Sequence, residues 1–203
     1  MPLVDSTPRM TGLNPRIARI ITEISAPAVC VVAGMIIVTW LSAAIGATTA
    51  WAGLAILLCA GVPMAYVVKG VKAGKWSDHH IRRREQRMVP ILVALGSVAA
   101  AAVLLILVGA PRPLIALVLA QVVGLLAMLA VTRFWKISIH CATAGGLVGV
   151  LVVLFGPWAL LGLIPLLFVA WSRVTLDAHT WAQVAAGSAT GFLIGAGLFP
   201  LFL

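Results

Sequence analysis

Long apolar runs dominate this sequence and restrict what it can fold into. Seven of them follow one another, at roughly 26–46, 49–68, 91–110, 114–132, 141–156, 158–171 and 181–203. An α-helix needs about 20 apolar residues to cross the hydrocarbon core of a bilayer. Of the residues, 63% are hydrophobic and only 9% are charged, a composition outside the range of soluble domains. The sequence therefore predicts an all-α fold, a polytopic transmembrane helical bundle.

The number of spans is six or seven, because two of the runs are short. The runs at 141–156 and 158–171 meet at Gly156 and Pro157, a pair that favours a turn. We favour seven spans, with six as the main alternative. The transmembrane domain is expected to cover 26–203.

A basic arm, residues 1–25, precedes the first apolar run. It shows no cleavable signal peptide, so the first helix is expected to stay as an anchor. The isoleucines within "NPRIARIITEI" recur at helical spacing, which predicts a helix lying in the membrane interface. They are Ile17, Ile20, Ile21 and Ile24.

Cysteine usage and net charge exclude some classes of protein. The three cysteines lack ligand spacing, which argues against a disulfide framework and against a zinc site. The formal charge of +9 is expected to reflect loop orientation and contact with anionic lipid headgroups, since the chain is apolar. We therefore expect the lipid bilayer as a partner and no nucleic acid.

Charged residues fall on one side of the membrane if each run crosses once. That side carries the arm and the segments 69–90, 133–140 and 172–180, and it holds every Lys and Arg except Arg112. It also holds all the acidic residues and all four histidines. By the positive-inside rule this side is cytoplasmic, in a multi-pass protein of the cell membrane.

Three polar segments on that side carry the residues suited to chemistry: 75–90, 136–146 and 172–183. Arginine guanidinium groups match the oxygens of a phosphoryl group, often with two parallel hydrogen bonds. A neutral imidazole can attack phosphorus, and a protonated one can supply a proton to a leaving oxygen. Arginines and histidines gathered beside lipid predict chemistry on a phosphorylated membrane lipid.

The motif residues resemble the type-2 phosphatidic acid phosphatase superfamily of integral-membrane lipid phosphatases. "SRVTLDAH" matches the Ser-Arg-x5-His part of its third motif, at Ser172, Arg173 and His179. "ISIH" keeps the Ser and His of its Pro-Ser-Gly-His motif, at Ser138 and His140. The resemblance covers roughly residues 70–190.

The first motif, Lys-x6-Arg-Pro, fits this sequence in two registers. Lys75 and Arg82 have the required spacing, and so do His80 and Arg87. The sequence does not choose between them. Two apolar runs separate this motif from the second, and a helical hairpin there would return the chain to the same side.

The resemblance implies a role for each matching residue. His179 would attack phosphorus and form a phosphohistidine, while His140 would protonate the leaving oxygen. The phosphoryl oxygens would be bound by a set of cationic and hydroxyl groups, and no metal or cofactor is implied. This set comprises Arg173, Arg87, Arg82, Arg84, His80, Ser138 and Ser172.

One departure from the family pattern concerns the residue that orients the nucleophile. Gln183 stands where the family has Asp, so it can accept a hydrogen bond from the imidazole but brings no charge. We expect a slower reaction unless Asp177 or another carboxylate substitutes. A non-catalytic lipid-phosphate binder or flippase with the same pocket is therefore the alternative function.

The sequence thus predicts a lipid phosphatase acting on phosphatidic acid, phosphatidylglycerophosphate or polyprenyl phosphates and diphosphates. Magnesium-dependent lipid transferases hold their metal with clustered aspartates, and this sequence has no such cluster. A transporter would carry polar residues deep in the membrane, where Gln121 is an isolated example. Homo-oligomerisation is left open.

Overall fold

The structure, a computed structural model, describes residues 15–41, 47–76, 79–81 and 83–203. Regular structure in these ranges is helical and includes no strand, which confirms the all-α fold. The α-helices are α1 (Pro15–Ile24), α2 (Pro27–Leu41), α3 (Ala47–Ile56), α4 (Val62–Lys72), α5 (Met88–Leu107), α6 (Arg112–Thr132), α7 (Ile139–Phe155), α8 (Leu163–Thr175) and α9 (Trp181–Leu193). A π-helical turn, Leu57–Gly61, joins α3 to α4.

Five helical segments within the described ranges are long and apolar enough to cross a membrane. They are Thr49–Lys72, Arg84–Leu107, Arg112–Thr132, Pro157–Thr175 and Trp181–Phe202. A sixth is obtained if α1 and α2, which meet at a bend of 44°, form one broken span. Such a set of helices fits a multi-pass membrane protein, as predicted.

The seventh predicted run, 141–156, forms α7, which is shorter than the other candidate spans. It has 17 residues, or about 25 Å of helix at ~1.5 Å per residue. Its start lies near the end of α8, because Gly156 and the 3₁₀ turn Pro157–Gly162 reverse the chain between them. Among the described residues the structure thus has five long candidate spans, or six if the bent pair counts as one, with α7 as a shorter apolar helix beside them.

A close contact between α7 and α9 brings two motif segments together. A Cβ atom added to Gly191 would lie 1.9 Å from the carbonyl oxygen of Ala142, and one added to Gly187 would lie 2.5 Å from that of Ser138. Only glycine allows the two backbones to approach this closely. This close packing fixes the start of α7 against the start of α9.

The α5–α6 hairpin returns the chain to the side on which the first motif lies. The turn between the helices contains Gly109 with φ +66°, a conformation that glycine adopts without strain. At the other end of the hairpin, Arg84 Nη1 donates a hydrogen bond to the carbonyl of Phe134, at 2.9 Å. The first and second motif segments therefore meet, as the sequence predicted.

Helix α1 packs on α8 and is part of the site end of the bundle. Ala18 and Thr22 are buried on its inner face, whereas Ile17, Ile20 and Ile24 are exposed. The predicted helix is confirmed over the described residues of that stretch. The buried face of this helix contacts the third motif, since Thr22 lies within hydrogen-bond distance of Ser172 and Arg173.

Candidate active site

Arg87 joins three segments at the site end of the bundle. It directly precedes α5 and is 3% exposed. Its Nε donates to the carbonyl of Ile81 at 2.8 Å, and its Nη1 donates to the carbonyl of Ile137 at 3.0 Å. Its Nη2 lies 3.5 Å from Nε2 of His179. The guanidinium is thereby held in one orientation beside the third-motif histidine.

The structure favours one register of the first motif. Arg87 and His80 both lie at the site, whereas Lys75 is exposed to solvent. Arg82, the alternative arginine, lies outside the residues that the structure describes. The register in which His80 takes the place of the family's lysine therefore agrees best with the geometry.

Arg173 is held by a chain of hydroxyl groups that starts on α1. Its side chain is 1% exposed, and its Nη1 donates to Oγ1 of Thr22 at 3.4 Å. Thr22 Oγ1 lies 3.2 Å from Oγ of Ser172, which donates to the carbonyl of Val169 at 2.7 Å. The only hydroxyl proton of Ser172 is donated to that carbonyl, so Ser172 can only accept a hydrogen bond from Thr22. Thr22 therefore donates to Ser172 and accepts from Arg173.

The spacing between Arg173 and His179 follows from how α8 ends. The N–H of Ala178 donates to the carbonyl of Arg173, and that of Asp177 donates to the carbonyl of Val174. This is the Schellman pattern, in which the residue after the C-cap adopts a left-handed conformation. Asp177 has φ +50°, which an aspartate tolerates better than most residues. His179 N–H also bonds the Arg173 carbonyl, so the turn places the imidazole beside the arginine.

Hydrogen bonds around Gln183 fix the tautomer of His179. Gln183 Oε1 accepts from the backbone N–H of Thr180 at 3.2 Å, as part of a capping box at the start of α9. The same oxygen lies 3.1 Å from Nδ1 of His179. Since Oε1 can only accept, Nδ1 carries the proton and Nε2 keeps its lone pair. That lone pair points to the side on which Arg87 lies.

The surroundings of His179 keep its imidazole neutral. Burial lowers its pKa to about 3, and the positive charges of Arg87, Lys136 and Arg173 act in the same direction. The hydrogen bond to Gln183 opposes them only weakly. At neutral pH the unprotonated Nε2 is therefore available as a nucleophile.

His140 lies in the first turn of α7, opposite the third motif. It is 5% exposed, and within the described part of the chain its Nε2 has no hydrogen-bond partner. Its ring is 5.0 Å from that of His80, edge to face. Ser138 caps the helix, since its Oγ accepts from the N–H of Cys141 at 3.4 Å. The cap sets the position of His140, whose buried nitrogen faces the site without a protein partner.

A carboxylate on α1 contacts two histidines of the first-motif segment. Glu23 Oε1 lies 2.9 Å from Nε2 of His80, and Oε2 lies 3.3 Å from Nε2 of His79. Burial lowers the pKa of His80, and the Glu23 carboxylate counteracts this. Within the described residues, these three side chains bring their ligand atoms within 4.8 Å of one another, close enough to hold a metal ion.

Several predicted site residues have other roles in the structure. Ser138 caps α7, and Ser172 supports Thr22, so both hydroxyls are engaged within the fold. Arg84 is bonded to the carbonyl of Phe134 and lies 3.8 Å from Glu85, away from the buried centre. Asp177 is exposed and ends α8, while Gln183 contacts the imidazole. Gln183, and not Asp177, is thus the residue that contacts Nδ1 of His179.

Three residues of the site were not predicted. Thr22 and Glu23 come from α1, and Lys136 donates from Nζ to the carbonyl of Ala178 at 2.7 Å. The signal for the first two was their place on the polar face of the helix predicted in "NPRIARIITEI". For Lys136, the signal was its place two residues before Ser138, in the second motif segment.

The site thus combines two buried guanidinium groups with two buried imidazoles at one end of a membrane bundle. Arg87 and Arg173 can bind an oxyanion, His179 offers a lone pair and His140 offers a second titratable nitrogen. This defines the class of the protein as a multi-pass helical membrane protein with a cationic, histidine-containing site.

No family model, curated protein or solved structure matches this chain. The resemblance to the type-2 phosphatidic acid phosphatases accordingly rests on the motif residues themselves.

Proposed function

We propose that this protein is a metal-independent membrane lipid phosphatase that works through a phosphohistidine. The observation that carries the proposal is the pairing of His179 with Arg87, in which the imidazole Nε2 is unprotonated and 3.5 Å from a guanidinium nitrogen. A nucleophile beside an oxyanion-binding group is what phosphoryl transfer to histidine requires.

In the first step, Arg87 and Arg173 bind the phosphoryl oxygens. His179 Nε2 forms a bond to phosphorus while the bond from phosphorus to the lipid oxygen breaks. His140, protonated when the anionic substrate binds beside it, gives its proton to the departing oxygen. The lipid alcohol, or the lipid monophosphate from a diphosphate, is released.

In the second step, the same groups exchange roles. Neutral His140 accepts a proton from a water molecule, whose oxygen attacks phosphorus. The phosphorus–nitrogen bond breaks, inorganic phosphate leaves, and Nε2 of His179 regains its lone pair. Gln183 keeps Nδ1–H in place throughout, although its neutral amide stabilises the positive imidazole less than a carboxylate would.

The expected substrates are phosphatidic acid, phosphatidylglycerophosphate and polyprenyl phosphates or diphosphates. We place the protein in the cell membrane with its site on the cytoplasmic face, because Arg112 alone among the Lys and Arg residues falls on the other side. A cytoplasmic site would act on newly made lipids.

The test is phosphate release by purified protein from a panel of these lipids in the presence of EDTA. We expect release by wild type, a loss of at least about 10³-fold in His179→Ala, and little change in Asp177→Asn. The latter variant is the matched control, since its exposed side chain lies two residues away and asparagine tolerates the same backbone conformation.

One observation favours a second function, a lipid-phosphate binder or flippase without turnover. Gln183 supplies the hydrogen bond to His179 but no negative charge. If wild type binds lipid phosphates but releases no phosphate from any of them, this second function replaces the first. Restored release in Gln183→Glu would then identify the missing charge as the cause.

A further inference from the structure

Two neighbouring histidines and a distant glutamate meet beside the candidate active site. Glu23 lies near the end of α1, and His79 and His80 lie in the turn between α4 and α5, 56 and 57 positions further along the chain. Each oxygen of the carboxylate contacts a different imidazole, as described above. The ligand atoms of the three side chains all lie within 4.8 Å of one another. These residues form a cluster that the proposed reaction does not use.

The backbone after the two histidines is anchored in the fold. Ile81 is 7% exposed, and its carbonyl accepts a hydrogen bond from Nε of Arg87 at 2.8 Å. Its φ of +46° is unfavourable for a β-branched residue, so the surrounding contacts must hold it there. The rings of His79 and His80 lie side by side in the turn that ends at this residue, with centroids 4.0 Å apart. Both imidazoles are thus positioned toward one carboxylate.

The ligand set and its spacing suit a tetrahedral zinc ion. Imidazole nitrogen together with a carboxylate oxygen is a zinc-type set, whereas Mg²⁺ and Ca²⁺ take oxygen ligands. Two ligand atoms on a tetrahedral zinc ion, each about 2.0–2.2 Å from the metal, lie about 3.3–3.6 Å apart. The contact of Glu23 with His79, at 3.3 Å, already has this spacing. The contact with His80, at 2.9 Å, needs to open by about 0.4 Å.

The cluster is open to ions from solution. The side chains of Glu23 and His79 are 56% and 45% exposed, so they can both adjust and be reached. The side chain of His80 is 10% exposed and forms the inner wall of the cluster. Three protein ligands leave the fourth position of a tetrahedral ion to water.

We propose that Glu23, His79 and His80 bind a divalent transition metal of the zinc class. The ion joins α1 to the turn before α5 and fixes His80, whose ring lies 5.0 Å from that of His140. None of the three ligands belongs to the groups that carry the proposed reaction, so this inference does not rest on that function. EDTA in the phosphatase assay keeps the site empty, and the two proposals are tested separately.

The first experiment measures zinc binding by the purified protein, in competition with a chromophoric chelator. The protein is purified through a tag that contains no histidine and is stripped of metal beforehand. Wild type should bind one zinc ion per chain. His79→Ala and Glu23→Gln should each weaken binding by at least about tenfold, since each removes one ligand. Both side chains are exposed, so neither substitution should disturb the fold.

Glu85→Gln and His179→Ala are the matched controls. Glu85 is an exposed carboxylate beside Arg84, outside the cluster, and His179 is an imidazole of the buried site. Both variants should bind zinc as wild type does. Absence of zinc binding in wild type would overturn the proposal. Equal affinity in wild type, the two ligand variants and the two controls would overturn it as well, because the zinc would then be adventitious.

A second experiment tests whether the ion joins the two segments. A ligand that binds only the folded protein raises its unfolding midpoint. Zinc should therefore raise the midpoint of wild type, EDTA should reverse the shift, and His79→Ala should show none. Hydrogen exchange in α1 and in the turn between α4 and α5 should slow when zinc is added. Zinc binding that leaves exchange in α1 unchanged would place the ion elsewhere and overturn the proposal.

Discussion

At the scale of single residues, the pairing of His179 with Gln183 determines how the site responds to protons. The amide oxygen accepts from both Thr180 N–H and His179 Nδ1–H, so it fixes the ring without supplying charge. Burial and three cations then keep the imidazole neutral. The imidazole is therefore unprotonated at neutral pH, and in the proposed reaction the cation formed on its phosphorylation would have only a neutral amide beside Nδ1.

Gln183→Glu should raise the pKa of His179 from about 3. A glutamate keeps the capping box and the contact to Nδ1 while adding a negative charge, which favours the protonated ring. Because a protonated ring has no lone pair to attack phosphorus, the acidic limb of kcat/KM against pH should move upward by about one unit or more. The pH profile and the ¹⁵N chemical shifts of the imidazole measure this.

Gln183→Ala is the control, since it removes the hydrogen bond without adding charge. That bond acts to raise the pKa of His179, so the acidic limb should not move upward in this variant. An unchanged limb in Gln183→Glu would mean that Gln183 does not contact the ring in solution.

At the scale of elements, α1 supplies a positioning residue to the site. Thr22 accepts a hydrogen bond from Arg173 and donates one to Ser172, so α1 and α8 hold the guanidinium together. Thr22→Val keeps the shape of the side chain but removes both bonds. We expect kcat to fall by about tenfold, as for the loss of a hydrogen bond to a buried charge, and Thr22→Ser to restore most of it.

The control for this effect is the stability of the fold. Thermal unfolding midpoints of the Thr22 variants separate a loss of positioning from a loss of structure. If Thr22→Val and Thr22→Ser have the same kcat, the hydroxyl chain has no part in the reaction.

The packing of α7 on α9 gives a second prediction at this scale. A methyl group at Gly191 would overlap the carbonyl of Ala142, whereas one at Gly146 would lie 3.5 Å from its nearest neighbour, an ordinary contact. Gly191→Ala should therefore destabilise the protein by about 3 kcal/mol or more, and Gly146→Ala should be close to neutral. Unfolding in detergent measures both, and similar midpoints would contradict the observed helix spacing.

At the scale of the whole molecule, features set by residues close together in the sequence could be predicted, whereas contacts between distant residues could not. The apolar runs gave the helices because a membrane span is a local property of about 20 residues. Ser172, Arg173 and His179 were found because their spacing is set by a single helix end. The contact of Thr22 with Ser172 joins residues 150 positions apart, and no periodicity encodes it. The register of the first motif could likewise be chosen only from the structure, because it depends on the position of Arg87 relative to His179.

The orientation of the bundle is a prediction at this scale. Lys75 is on the predicted cytoplasmic side and Arg112 on the other, at the start of α6. In a background without native cysteines, Lys75→Cys should react with an impermeant thiol reagent only after the membrane is opened. Arg112→Cys should react in intact cells. The reverse pattern would place the site outside.

The contact between Thr22 and Ser172 also bears on how the protein is made. Chains grow from the N-terminus at about 5–20 residues per second, so α1 is in place on the order of ten seconds before its partner on α8 is synthesised. The hydrogen bond from Arg173 to Thr22 cannot form until α8 has been synthesised. The site is complete only when α9 has followed, because Gln183 lies on that helix. The growing chain therefore lacks the assembled site during most of its insertion.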